Sequence, residues 1–174
     1  MNLLHTANTK KSRRVDLDSY ALLVQEATRD FAKLQSAEHT TAINQDALEN
    51  VLYKVKQALG LFDVFHTLDR EKLLKELVKF PEVIKEKSFF VQINTGKEIT
   101  KSGVFPEDTK NFLGLCKNYG LKNIDGLMCI PPINESPIKH YQMITDLTKE
   151  FGLGRPSIGM SDDYLYALDF NPKY

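Results

Sequence analysis

The 174-residue chain has no tryptophan, only two cysteines, and no surplus of charge of either sign. Two cysteines cannot make a disulfide framework. Cys116 and Cys129 form no CxxC pair, and no histidine stands at metal-ligand spacing from either. Both are therefore expected as reduced thiols in a cytoplasmic protein. Lys plus Arg and Asp plus Glu number 23 each. Without a basic surplus, binding to a phosphate backbone is not expected as the main role. No apolar run is long enough to span a bilayer, so no membrane partner is expected. Several phosphate and catalytic motifs are missing too. TGKEIT (95–100) lacks P-loop spacing, GLG (152–154) fails the dinucleotide fingerprint, and no GxSxG elbow occurs. What is present is ordinary globular composition, 42% apolar and 26% charged. A chain of this length buries roughly 70% of its unfolded surface without staples. It is short for a complete eight-unit (β/α) barrel, which typically needs about 250 residues.

Residues 1–14 contain no acid and end in Lys10, Lys11, Arg13 and Arg14, which reads as a solvated basic arm. Residues 15–174 read as a single α/β domain, helical over 15–60 and built of β/α units over 61–168. Leu17, Ala21, Val24, Ala27, Phe31 and Leu34 make one apolar stripe at spacings of three and four. Leu48, Val51, Leu52, Val55 and Leu59 make a second, with Asn44 as N-cap and Gly60 as stop. After Gly60 the period changes. Strands are predicted near 62–66, 88–94, 124–130 and 156–159. Helical spacing lies between them: Leu73, Leu74, Leu77 and Val78 before Pro81; Phe112, Leu113, Cys116 and Tyr119 between Pro106 and Gly120; and Ile138, Tyr141, Ile144, Leu147 and Phe151 between the Ser136-Pro137 pair and Gly152. DDYLYAL (162–168) begins a further helix. Strand and helix alternating in units of roughly 30 residues predict βαβ crossovers and a parallel sheet of about four strands.

Chemistry in such folds sits in loops at the C-terminal ends of strands. The turn Ser157-Ile-Gly-Met-Ser-Asp-Asp163 is the most informative. Gly159 lets a ligand approach the backbone, Ser157 and Ser161 supply hydroxyls, and the free N–H groups of the next helical turn suit an anion such as a phosphate monoester. Two readings stay open: that site, or an ordinary strand-to-helix turn capped by Ser161 or Asp162. Asp162 and Asp163 add negative charge where a phosphate would sit. Asn94 opens the loop Asn94–Gly103, whose Lys97 and Lys101 are amines beside a buried strand. Met128, in GLMCI, is a core residue or a pocket-facing one. His66 ends the first strand, as a local polar contact or a ligand donor. The other histidines share no cluster with it.

Four ordered blocks carry a resemblance to a known family: KVKQALGLFDVFHTLD (54–69), FVQINTGKEITKSGV (90–104), IDGLMCIPP (124–132) and SIGMSDDYLYAL (157–168). Together they resemble the pyridoxal-phosphate homeostasis proteins, whose fold is similar to the barrel domain of alanine racemase. The resemblance implies a partial (β/α) barrel of the alanine-racemase-like type. It further implies a pyridoxal 5′-phosphate site in which Ser157, Gly159, Met160 and Ser161 hold the phosphate, with Asn94 and Met128 beside them. Family members act as non-catalytic carriers or regulators of the cofactor. The partner implied is thus a small phosphate-bearing cofactor, in a monomer or homodimer.

The chain departs from the family at both ends, and reads as truncated or divergent there. The family's first strand carries a VSKTKP-like motif with the cofactor-binding lysine. The nearest echo is Thr6-Ala-Asn-Thr-Lys-Lys11, with Asn8 at the lysine's place. The family's VRIG segment, whose Arg faces the pyridine nitrogen, is replaced by LDFNPKY (168–174). Covalent capture of the cofactor is therefore not expected, and binding should be weak and reversible. The apolar stripes over 17–34 and 45–59, or a second copy, are expected to cover the surface of an incomplete barrel. Two other functions stay open: an interaction or remnant protein without cofactor, and an enzyme acting on another small phosphate ester.

Overall fold

The computed structural model describes residues 45–174, so the expected basic arm and the stripe over 17–34 lie outside the described residues. The second stripe forms helix α1, Gln45–Leu61, with Val55 and Leu59 buried. It runs through Gly60, which was expected to stop it. The amide of Phe62 still reaches back to the Ala58 carbonyl (2.9 Å), so the helical bonding continues past the glycine.

Three strands follow: β1, Val64–Leu68; β2, Ser88–Gln92; β3, Ile124–Met128. They pair in parallel in the order β1-β2-β3. Parallel neighbours need crossovers, and helices supply them. α2 (Glu71–Leu77) and the single turn α3 (Pro81–Ile84) link β1 to β2. Pro81 sits at the first turn of α3, where its missing N–H costs no bond, and it separates the two helices as its sequence position predicts. A 3-10 turn, Pro106–Asp108, leads into α4, Thr109–Asn118, which joins β2 to β3. α5, Pro137–Glu150, follows β3 with Ser136 at its N-cap position. α4 and α5 end alike. Gly120 and Gly152 take positive φ just past the helix, and the amides of Leu121 and Leu153 reach back to the carbonyls of Cys116 and Thr148.

The register divides the sheet into two unlike faces. Phe65 stands beside Phe89, Leu68 beside Val91, and Val91 beside Leu127. These side chains point to one face and share an apolar core with Leu74, Leu77, Phe112, Cys116, Tyr141 and Ile144 from the helices. α5 buries Tyr141 and Ile144 as its spacing predicts, with Leu147 packed against the core; the buried face also takes in His140, Thr145 and Thr148, while Ile138 is exposed. Thr145 and Thr148 can be buried because their hydroxyls bond the carbonyls of Tyr141 and Ile144, each at 2.7 Å. The other face carries His66, Phe90, Gly126, Gln92 and Met128. A Cβ on Gly126 would lie 2.8 Å from the Phe90 ring and 2.5 Å from the Arg155 carbonyl oxygen, so only glycine fits under that ring.

The expected fourth strand does not form. Residues 156–159 contribute a single parallel bridge, Met128 to Ser157. The Ser157 amide donates to Leu127 O (2.9 Å), and the Cys129 amide to Ser157 O (3.4 Å). Pro156 has no N–H to extend the ladder backwards, and Gly159, at φ +105°, leaves the extended region two residues after the rung. On the segment's other side, the amide of Lys173 donates to Pro156 O and that of Ile158 to Tyr174 O. The result is a three-stranded parallel sheet with a one-residue fourth rung, compatible with part of a barrel.

Candidate functional site

β2, β3 and the Ser157 rung all deliver their following loops to the C-terminal end of the sheet, as parallel pairing requires. Asn94, Met128 and the Ser157–Asp163 turn therefore lie at one end, where the sequence places candidate chemistry. Ser157 is buried, and its Oγ lies 2.8 Å from His66 Nδ1. The His66 ring stacks flat on Phe90, at 4.9 Å and 5°, and meets Tyr174 edge-on at 5.1 Å. Burial in this aromatic setting holds the imidazole below its ordinary range, so it is neutral at pH 7. His66 sits inside β1 and not at its end, and its partner is a side chain 91 residues away. No local sequence signal identifies that link. Only parallel ordering, with β1 and residue 157 both presenting to the same face, brings the two together.

The turn itself is shaped from within. Asp163 Oδ1 accepts the Met160 amide at 2.6 Å. Gly159 is needed twice: its φ is +105°, and an added Cβ would approach the Ala167 Cβ to 3.1 Å and the Tyr164 Cα to 3.3 Å. Met160 and Ser161 are exposed. Among the described residues, no hydrogen bond engages the amides of Ser161 and Asp162. The helix that follows, α6, is only Tyr164–Ala167 before a 3-10 turn, Leu168–Phe170. It is too short for the dipole support expected of a full helix, so any anion here depends on hydroxyls and single N–H groups.

Beneath the turn lies a buried polar cluster that the sequence does not announce. Thr95 Oγ1 and Tyr141 Oη are buried with no hydrogen-bond partner among the described residues. Cys129 is buried and its thiol is pushed up to about 12, chiefly by burial, with Asp163 adding repulsion. The Tyr141 phenol is raised by burial first and by Asp163 second. Neither thiol nor phenol is a nucleophile at neutral pH in this setting. Both cysteines are buried and unpaired, consistent with reduced thiols.

Asn94 is buried and spends its side chain on its own loop. Its Nδ2 donates to Glu98 O (2.8 Å) and Lys101 O (3.2 Å), while its Oδ1 accepts the Glu98 amide (3.2 Å). Met128 is buried on the His66 face. Lys97 pairs with Glu107 at 2.9 Å and Lys101 with Glu98 at 2.7 Å, all four side chains exposed. No cluster of metal-ligating side chains occurs among the described residues, and no helix there is long and apolar enough to cross a membrane.

The fold and the site define an α/β protein with parallel crossovers and a hydroxyl-bearing turn at the C-terminal end of its sheet. The chain is 32% identical over 127 residues to the pyridoxal phosphate homeostasis protein of Aquifex aeolicus, covering 67% of the chain and 55% of that relative. It is 31% identical over 139 residues to the protein of the same name from Helicobacter pylori, covering 75% and 59%. With the one from Buchnera aphidicola it shares 28% over 185 aligned positions, covering 92% and 78%. The chain is thus a homologue of the pyridoxal phosphate homeostasis proteins, and it spans little more than half the length of the Aquifex relative. Among solved structures, PipY of Synechococcus elongatus without pyridoxal phosphate superposes with a TM-score of 0.57 at 22% identity, over 86% of the chain and 74% of PipY. PipY with pyridoxal phosphate bound gives 0.53. No protein-family model matches the chain.

Proposed function

We propose that this chain is a pyridoxal 5′-phosphate-binding homeostasis protein, a non-catalytic carrier or regulator of the cofactor, on a partial (β/α) barrel of the alanine-racemase-like type. The observation that carries this is the buried Ser157 hydroxyl, held on His66 at the C-terminal end of the sheet, next to a turn whose Ser161 and Asp162 amides bond no described residue. A hydroxyl anchored on one side and N–H groups free on the other suit a phosphate monoester. Ser157 and Ser161 hold the phosphate, Gly159 lets it approach, and Met160 borders it. Asn94 fixes the loop beside it, and Met128 contributes apolar floor. Bound pyridoxal phosphate brings the phosphate handle and an aldehyde. The exposed, ion-paired Lys97 and Lys101 are not held for that aldehyde, so binding is reversible and rests on the phosphate. A cytoplasmic setting fits the buried reduced thiols.

A second reading, an interaction protein that binds no cofactor, draws support from the Asp163 carboxylate on the Met160 amide, which takes one donor and adds charge of the wrong sign. The test is calorimetric titration of the protein with pyridoxal phosphate. Binding in the micromolar to millimolar range, abolished by Ser157→Ala with Gly159→Val and competed by inorganic phosphate, supports the proposal. No binding, or binding that survives both substitutions, favours the cofactor-free reading or a site elsewhere.

A further inference from the structure

The His66–Ser157 pair has a role beyond filling the sheet face. We infer that His66 is a positioning residue that sets the direction of the Ser157 hydroxyl proton, making anion capture at the turn responsive to pH; this rests on the phosphate site proposed above. A serine hydroxyl has one proton. If Nδ1 of His66 accepts it, the oxygen offers an anion only lone pairs. If Nδ1–H donates to Oγ, the hydroxyl proton is free to point at the anion. An anion in the turn selects the donating form, and protonation of the ring makes that form obligatory. The stacking on Phe90 and the edge of Tyr174 hold the ring, so it cannot turn away to avoid the choice.

Binding and protonation are therefore linked. Without ligand the imidazole is kept neutral by burial. With an anion against Ser157 it gains a favourable neighbour and its proton affinity rises. Affinity is then flat at alkaline pH, and it rises as pH falls through the ligand-bound pKa of His66. It levels off once the free protein is protonated as well. The other groups around the ring are identifiable. Ser157 faces it from the fourth rung, Phe90 from β2, and Tyr174 from the C-terminal segment. Lys173, beside Phe90 and Tyr174, is paired with Asp125 of β3 at 2.7 Å. Asp163 is engaged by the Met160 amide.

Sulfate is the probe, because it keeps the same charge between pH 5.5 and 8. Its affinity is measured across that range for the full chain and for H66N, H66F and S157A, with the His66 ring nitrogens followed by NMR. Wild-type affinity should rise about tenfold from pH 8 to pH 5.5, the ratio expected when a neutral hydrogen bond becomes charge-assisted. H66N, whose amide can still donate but cannot gain a charge, should lose the pH dependence. H66F should lose about tenfold at pH 5.5 and give the same flat profile. Sulfate should move the Nδ1 resonance of wild type toward the protonated form. If S157A abolishes sulfate binding while H66F keeps the wild-type profile, the site stands and the role of His66 falls. If wild type binds no sulfate, or S157A binds it normally, both fall together.

Discussion

The two faces of the sheet are made from alternating residues of the same three short strands, yet they obey different rules. On the helix-covered face, Phe65, Leu68, Phe89, Val91 and Leu127 are apolar and locked into one cluster. That is the pattern of a core chosen for volume and shape, where close packing decides what fits. On the other face, a histidine, a glycine, a glutamine, a methionine and a buried serine surround Phe90. Residues there are held by directional contacts: the His66–Ser157 bond, the flat His66–Phe90 stack, and the edge contacts of Tyr174. A face chosen for packing alone would not keep a depressed histidine against a buried hydroxyl. The difference teaches where each kind of substitution should be felt.

The largest effect should come from the packed face. Phe89 has no exposed surface and stacks on Phe65 at 5.2 Å. Phe89→Ala should cost about 3–5 kcal/mol in chemical denaturation. Ligand affinity per folded molecule should be unchanged. If affinity falls in step with stability, the two faces are one cooperative unit and not separable. Gly159→Val should cost about 1–3 kcal/mol, because a branched side chain is placed at φ +105° against Ala167 and Tyr164. Unlike Phe89→Ala, it should also remove phosphate-ester binding, which separates a cost to the fold from a cost to the site.

Much of the packed face is legible in the sequence, and little of the other face is. Apolar spacing, Pro81, Ser136-Pro137, Gly120 and Gly152 identify the helices and where they stop, because caps and periods are local properties. Parallel order follows from alternation. The failures are also local in origin. Gly60 looks like a stop, but a glycine inside a helix costs only about 1 kcal/mol, and buried Val55 and Leu59 hold α1 in place. Residues 156–159 look like a strand because they are short and bounded, but Pro156 and the positive φ of Gly159 leave room for one rung. The turn residues Ser157, Gly159, Met160 and Ser161 stand out by their chemistry. His66 stands out as a strand-borne polar residue, but its link to Ser157 does not, since a residue 91 positions from its partner has no period to betray it; the buried hydroxyls of Thr95 and Tyr141 give no local signal either.

A smaller effect should separate the faces by pH. Burial lowers the His66 pKa from 6.5, so between 6.5 and its folded value the unfolded chain binds more protons than the folded one. Stability therefore rises with pH across that window and falls as pH drops through it. Denaturation midpoints of the ligand-free protein should decrease modestly from pH 7 to pH 5, and His66→Phe should remove that part of the slope. On the helix-covered face, the Cys116 thiol is held up to about 12 by burial and contributes nothing in this range. An unchanged slope in His66→Phe would move the acid sensitivity to other groups.

The smallest expected effect is none at all, and it bears on how the cofactor is held. A lysine bonds an aldehyde efficiently only when its amine is neutral and positioned beside it. Lys97 and Lys101 have their ammonium groups on Glu107 and Glu98, on an exposed loop. Lys173 lies across the sheet face on Asp125, whose carboxyl is held below its usual range first by that lysine and then by Ser88. Each of these amines is thus tied up as a charged partner and not poised as a nucleophile. Protein saturated with pyridoxal phosphate and reduced with borohydride should show no stoichiometric adduct on a single lysine when its peptides are weighed. Scattered trace labelling should also be insensitive to Ser157→Ala. One dominant modified lysine, lost on Ser157→Ala, would mean that the directional face positions an amine as well as a phosphate, and would name the residue.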